Sequence, residues 1–298
     1  MSKRNKDNRK LLILCNCDCA DPMSARFLLA AALSLLISGC DRAPSPSSAM
    51  PGAVSGGTAD IGGEVSRLQA ALARDVPGRI TDEPDGEQRW ATLAQAEIKA
   101  RGHAIRRPQL VVVVDRNPAV QEMRILVAQP SGGWLSLGGA KISTGQEGRN
   151  GYFITPTGVF LHTDEILDWR AEGTFNANGI RGLGLAGMRV WDFGWQTAER
   201  GWEAEGREST IRLLLHATDP DVLEQRLGRP ASKGCIRVPG PMNIFLDRNG
   251  ILDVDYEAAA KVDPRYDAVL RPDRTPTPLA GNMLVIVDSG SGATAQAP

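Results

Sequence analysis

The apolar pattern of the chain changes period at about residue 107, and this change constrains the fold more than any other feature. Before it, residues 61–104 repeat apolar side chains at helical spacing. Val65, Leu68 and Leu72 make one face, and Trp90, Leu93, Ala94 and Ile98 make another. Pro77-Gly78 and Pro84-Asp85-Gly86 separate the two, and Gly102 is a stop. After it come β-branched and alternating runs at 110–114, 123–128, 134–137, 140–143, 157–162, 210–216 and 283–287. Turn residues divide them, among them Asn117-Pro118, Pro130-Ser131-Gly132-Gly133 and Gly138-Gly139. A helix is expected over 241–249, and the charged, Pro-containing stretch 252–278 reads as an insertion. The pattern implies a mainly β domain with one or two helices over 105–290, preceded by a helical stalk over 61–104.

The cysteines divide the rest of the chain. There are 5 in 298 residues, too few for a disulfide scaffold and odd for full pairing. Cys15, Cys17 and Cys19 are spaced too tightly for the common zinc pairs. From Met23 the chain reads as a basic n-region at Arg26, an apolar run over 27–37 and the small-residue site Ser38-Gly39-Cys40. That is the layout of a secretory signal, and the run is too short to span a bilayer comfortably. Residues 1–39 are therefore expected to be a signal peptide, with Met23 a candidate for the true start. Residues 40–60 are rich in Pro, Ser, Gly and Ala and read as a flexible tether; 291–298 read as a disordered tail.

Composition narrows the partners. Apolar residues are 42% and charged residues 23%, which excludes a fibrous, wholly disordered or multi-span chain. Lys plus Arg is 34 against 35 for Asp plus Glu, so no basic excess points to nucleic acid.

With the signal removed, Cys235 is the one thiol left besides Cys40. A lone thiol in an oxidising compartment is exposed to oxidation and asks for a chemical reason. Its setting is Ser232-Lys233-Gly234-Cys235-Ile236-Arg237-Val238, where Gly234 permits unusual backbone angles. The chain is expected to pass from loop into helix here, which would favour the thiolate through the helix dipole. His216 ends an apolar strand 19 positions earlier and is a candidate base for the thiol proton; the bland alternative is a buried Cys and an unrelated His. His103 and His162 read as surface or structural residues. Trp169, Trp191, Trp195 and Trp202 either cap a cleft or pack a core.

Two resemblances follow from these residues. Leu36-Ile37-Ser38-Gly39-Cys40 resembles the lipobox of bacterial lipoproteins. It implies cleavage before Cys40 and lipidation of that residue, hence a membrane anchor through the N-terminal lipid. Asp41 resembles an inner-membrane retention signal, which implies the periplasmic face of that membrane. The second resemblance is to the L,D-transpeptidases with a YkuD-type domain. His216, fifteen intervening residues, then Ser232, Gly234, Cys235, Ile236 and Arg237 match that family's catalytic pattern. Ser143-Thr144-Gly145, Thr155-Pro156-Thr157-Gly158-Val159-Phe160 and the closing 283–288 segment match its other elements.

The resemblance covers about 110–290. It implies a β-sandwich or barrel-like catalytic domain, Cys235 as nucleophile, His216 as general base and acid, and the backbone at Gly234 and Cys235 as oxyanion donor. It also implies peptidoglycan stem peptides as partner and no metal or organic cofactor. Three departures stand out. Lys233 occupies the place of a second His and, with Ser232 and Arg237, is a candidate substrate contact. Ala217 replaces the usual Gly or Ser, so a backbone carbonyl is expected to orient His216. The stretch 163–209 is long. The alternatives on the same residues are a wall amidase or carboxypeptidase, and a non-catalytic wall-binding lipoprotein.

Overall fold

Seven consecutive buried residues make β1 (Gln109–Asp115) the strand on which the larger sheet is built. It pairs antiparallel with β2 (Glu122–Ala128) and parallel with β9 (Met283–Val287). With β3 (Leu135–Lys141) and β4 (Gly158–Leu161) the order is β3-β2-β1-β9-β4. A second sheet has the order β5-β6-β7-β8, from β5 (Trp169–Arg170), β6 (Arg189–Glu199), β7 (Glu208–Ala217) and β8 (Ile236–Val238). The computed structural model describes residues 60–203 and 206–291. The expected signal peptide, the lipidation site at Cys40, the tether up to residue 59 and the tail from 292 lie outside the described residues. The mainly β class holds, as two open sheets rather than a closed barrel.

Helices cover these sheets. α1 (Ile61–Asp75) and α3 (Gly240–Arg248) share one apolar core with the facing sides of both sheets; Leu68, Leu72, Val112, Ile125, Leu213, Leu215 and Phe245 all belong to it. α2 (Pro84–Ala100) covers the opposite face of the larger sheet, where Trp90, Ala94 and Ile98 meet Val111, Val113 and Val285. The apolar faces read from the helical spacing are the buried ones. The segment does not stand off as a stalk, because each of those faces closes one side of the larger sheet.

Other expectations change as well. Gly138-Gly139 is no turn; β3 runs through it, with Leu137 as the extra residue of a bulge against β2. Gly138 has φ +112, and a Cβ there would lie 2.7 Å from Ile80 O, because the α1–α2 linker pairs with the strand at Gly139. The 252–278 stretch is structured by α4 (Val254–Ala259) and α5 (Pro264–Val269), which bury Tyr256 and Tyr266.

A buried ionic cluster joins that stretch to the smaller sheet. Arg189 is fully buried at the start of β6; it donates to Asp168 at 2.9 Å and lies 3.4 Å from Asp253 and 3.5 Å from Asp247. His162, also fully buried, is bonded to Asp168 at 2.9 Å and stacks on Tyr256 at 4.4 Å. Burial alone would push the imidazole down, but the charge and hydrogen bond of Asp168, with the charge of Asp253, outweigh it and hold it raised. Removing one partner from such a cluster leaves uncompensated buried charge. Arg189→Met should therefore lower stability by roughly 3–5 kcal/mol in urea denaturation. A loss under about 1 kcal/mol would mean that the cluster does not hold the two parts together.

Candidate active site

The register of β7 and β8 places the sequence-predicted pair. The strands are parallel, with Leu215 opposite Ile236, His216 opposite Arg237 and Ala217 opposite Val238. Leu213, Leu215, Ile236 and Val238 point into the shared core. Alternation sends Leu214, His216 and Arg237 to the outer face. Cys235 joins Leu214, Val190 and Met188 in an apolar cluster on that same face. His216 and Cys235 thus project from one face of adjacent strands, two residues out of register. Cys235 is half-buried, and its Sγ–H donates to Arg212 O at 3.7 Å.

His216 is almost wholly buried and is held as a neutral imidazole. Its Nδ1 lies 2.6 Å from Ala217 O, which assigns the proton to Nδ1 and leaves the Nε2 lone pair as acceptor. Burial, and then the charge of Arg237 across the register, push its pKa down to about 4, against a small opposing effect of the Ala217 carbonyl. The orienting contact is a backbone carbonyl, as expected from Ala217.

The loop before Cys235 is held by hydroxyl groups. Thr155, fully buried, donates from Oγ1 to Gly234 O at 2.8 Å and accepts from Gly145 N at 2.8 Å. Fixing Gly234 O on Thr155 turns the Cys235 N–H to the opposite side of a trans peptide. Ser232, also fully buried, donates to Cys235 O and accepts from Gly234 N at 3.1 Å. Two expectations change here. Ser232 closes the turn instead of facing substrate, and the Gly234 amide is already engaged by Ser232, so it is no oxyanion donor in this arrangement. Gly234 itself has φ +126, and a Cβ would meet Ile211 Cδ1 at 2.8 Å.

The thiol does not sit at a helix N-terminus. β8 follows it directly, and α3 starts only at Gly240. Arg237 donates to Ala231 O at 3.0 Å and exchanges backbone hydrogen bonds with Ser143, which makes it a brace of the loop. Lys233 is exposed, with Nζ 5.8 Å from the centre of the Tyr152 ring. Of the four tryptophans in 163–209, Trp191 is in the core, Trp169 packs beside the Cys235 cluster, and Trp202 meets Phe153 edge-on at 5.1 Å. Trp195 is 55% exposed beside Arg212. His103 is half-buried between α2 and β1, away from this loop in the chain, and His162 belongs to the ionic cluster.

Sequence reasoning missed Arg212 and the positioning role of Thr155. Thr155 opens the Thr155-Pro156-Thr157-Gly158 segment; Arg212 carried no signal, because its part is played by a backbone carbonyl.

No protein-family model matches the chain, and a search of curated proteins finds no match. Among solved structures, one similarity is to a fused Zn-dependent amidase/peptidase/peptidoglycan-binding domain-containing protein from Clostridium acetobutylicum. The identity is 16% and the TM-score 0.27, with 70% of this chain and 65% of that one covered. This chain therefore spans less than two thirds of that protein, and a likeness at this level carries no argument about fold or function.

Two outcomes test the site. The unfolded imidazole of His216 takes a proton near its ordinary value of 6.5, whereas the folded one refuses it down to about 4. Its contribution to stability is present above pH 6.5 and lost as pH falls toward 4, by up to about 3 kcal/mol. His162 has a raised value and works with the opposite sign, its contribution lost as pH rises. Urea denaturation of wild type and His216→Gln across pH 4–7 should show the His216 component as the difference between the curves. Thr155→Val should cost roughly 1–3 kcal/mol for each group left unpaired, with Thr155→Ser recovering most of it.

Proposed function

We propose that this protein is a peptidoglycan L,D-transpeptidase, a cysteine acyltransferase that acts in cell-wall remodelling. One observation carries the reading: a half-buried thiol and a neutral imidazole, its Nδ1 anchored on a carbonyl, share one sheet face on adjacent strands. The order of residues from His216 to Arg237, and its resemblance to the family pattern, supports the same assignment. Lipidation at Cys40 and a periplasmic, membrane-anchored location belong to this proposal and rest on the sequence of residues 23–41.

The chemistry proceeds in two halves. His216 Nε2 takes the proton of Cys235, and Sγ attacks the carbonyl at the L-centre of the diamino acid in a tetrapeptide stem. The developing oxyanion faces the Cys235 N–H, whose peptide is oriented by Thr155 through Gly234 O. The carbon–nitrogen bond breaks, the terminal D-alanine leaves with the proton from His216, and a thioester remains. An acceptor amine then attacks the thioester, gives its proton to His216, and the thiol is restored. His216 is deprotonated at resting pH because of its burial, so it is ready to accept the first proton.

A β-lactam of the carbapenem class should acylate Cys235, and intact-mass spectrometry should read a single adduct that is absent in Cys235→Ala. His216→Ala should slow acylation by roughly 10²–10⁴-fold at neutral pH. No adduct on the wild-type chain would favour a non-catalytic wall-binding protein. Digested sacculi separate the hydrolytic alternative: new links between diamino acids mark transfer, and stems trimmed without new links mark an amidase or carboxypeptidase.

A further inference from the structure

Two cations stand over one aromatic ring beside the nucleophile loop. Arg149 Cζ lies 4.5 Å and Lys233 Nζ 5.8 Å from the centre of the Tyr152 ring. Both side chains are exposed. Among the described residues neither belongs to an ion pair, whereas Arg200 is held by Glu203 and Arg212 by Asp192 nearby. Glu147, in the same loop as Arg149, is exposed and makes no ion pair with either.

The arrangement is held by the backbone. Gln146 N donates to Ser232 O at 3.1 Å and Phe153 N to Lys233 O at 3.4 Å, so both ends of the 146–153 loop are tied to the nucleophile loop. Gly148 N donates to Gly201 O at 2.6 Å, and Tyr152 N to Arg149 O closes the turn at 3.0 Å. Cation–π contact contributes about 0.5–1 kcal/mol at an exposed site and does not neutralise either charge. Two like charges gathered at one ring therefore attract an anion more strongly than either does alone.

Position selects the anion. Lys233 is two residues from Cys235, and an extended residue spans about 3.3–3.6 Å. A bound peptide with its scissile carbonyl at Sγ carries its next carboxylate one residue further on, within reach of a lysine or arginine side chain. We infer that Arg149, Tyr152 and Lys233 form a carboxylate clamp for the terminal amino acid that leaves the donor. By microscopic reversibility the same clamp receives a free amino acid entering as acceptor. The inference rests on the acyl-transfer reading above and adds the group that the exposed side of the loop recognises.

The test compares a donor tetrapeptide with its C-terminal amide, using the full chain. The wild type should favour the free acid in kcat/KM by about tenfold or more, the range for a charge-assisted contact. Lys233→Met and Arg149→Met should each reduce that ratio, the double variant should bring it near one, and Lys233→Arg should retain most of it. Amino acid and amino amide acceptors should show the same pattern, which separates the leaving from the entering group. A ratio that survives in the double variant overturns the clamp. Calorimetric binding of the two peptides to Cys235→Ala gives a readout independent of turnover: tighter binding of the acid that disappears with Lys233→Met and Arg149→Met supports the clamp, and equal binding overturns it. Loss of the transfer reading would appear separately, as no adduct on Cys235.

Discussion

Burial on one side of the smaller sheet decides which side chains stand together on the other. Leu213, Leu215, Ile236 and Val238 are drawn into the core shared with the larger sheet. Strand alternation then leaves His216, Arg237 and the Cys235 side chain on the outer face. A slip of one residue in β8 would bring Arg237 into the core and expose two aliphatic side chains, so the register is strongly specified. The juxtaposition of thiol and imidazole is thus a by-product of apolar burial, and it needs no direct bond between them to be maintained.

What burial does not fix is the loop that presents the thiol, and here hydroxyl groups take over. Thr155 joins the segment that follows β3, through Gly145, to the turn before β8, through Gly234. Ser232 closes the turn from the other side. The loop is therefore braced from outside by Thr155 and from within by Ser232. The left-handed angle at Gly234 and its contact with Ile211 leave no room for a side chain.

The parts of this arrangement that were legible in the sequence are those with a local period. β1, β2 and β9 declared themselves as β-branched runs, and the apolar faces of α1 and α2 followed from helical spacing. β6 did not, because Asp192 and Gly194 break its alternation at a bulge and its tryptophans divide between core and surface. β8 is three residues long, too short for any period, so the residues after Cys235 read as the approach to a helix. The Gly138-Gly139 pair read as a turn because the sequence cannot show that Ile80 comes to rest against that strand. Arg189 is isolated in the sequence from Asp168, Asp247 and Asp253, so the ionic cluster became visible only in three dimensions. His216 and Cys235 were singled out by the resemblance of their setting to a family pattern, whereas the partners that orient them act through backbone atoms and left no mark on residue type.

The electrostatic layout separates two tasks that would otherwise conflict. In the proposed reaction a base that must be uncharged beforehand is best kept away from water, and His216 is buried with Arg237 across from it. In the proposed reaction a charge that meets an anionic substrate is best kept at the surface, and Lys233 and Arg149 are exposed. Had the position before Gly234 held an imidazole, its charge would vary near neutral pH. A lysine there presents a compact cation on a flexible stem instead. On the proposed function, Lys233 therefore offers an exposed cation to the substrate, and proton transfer falls to His216.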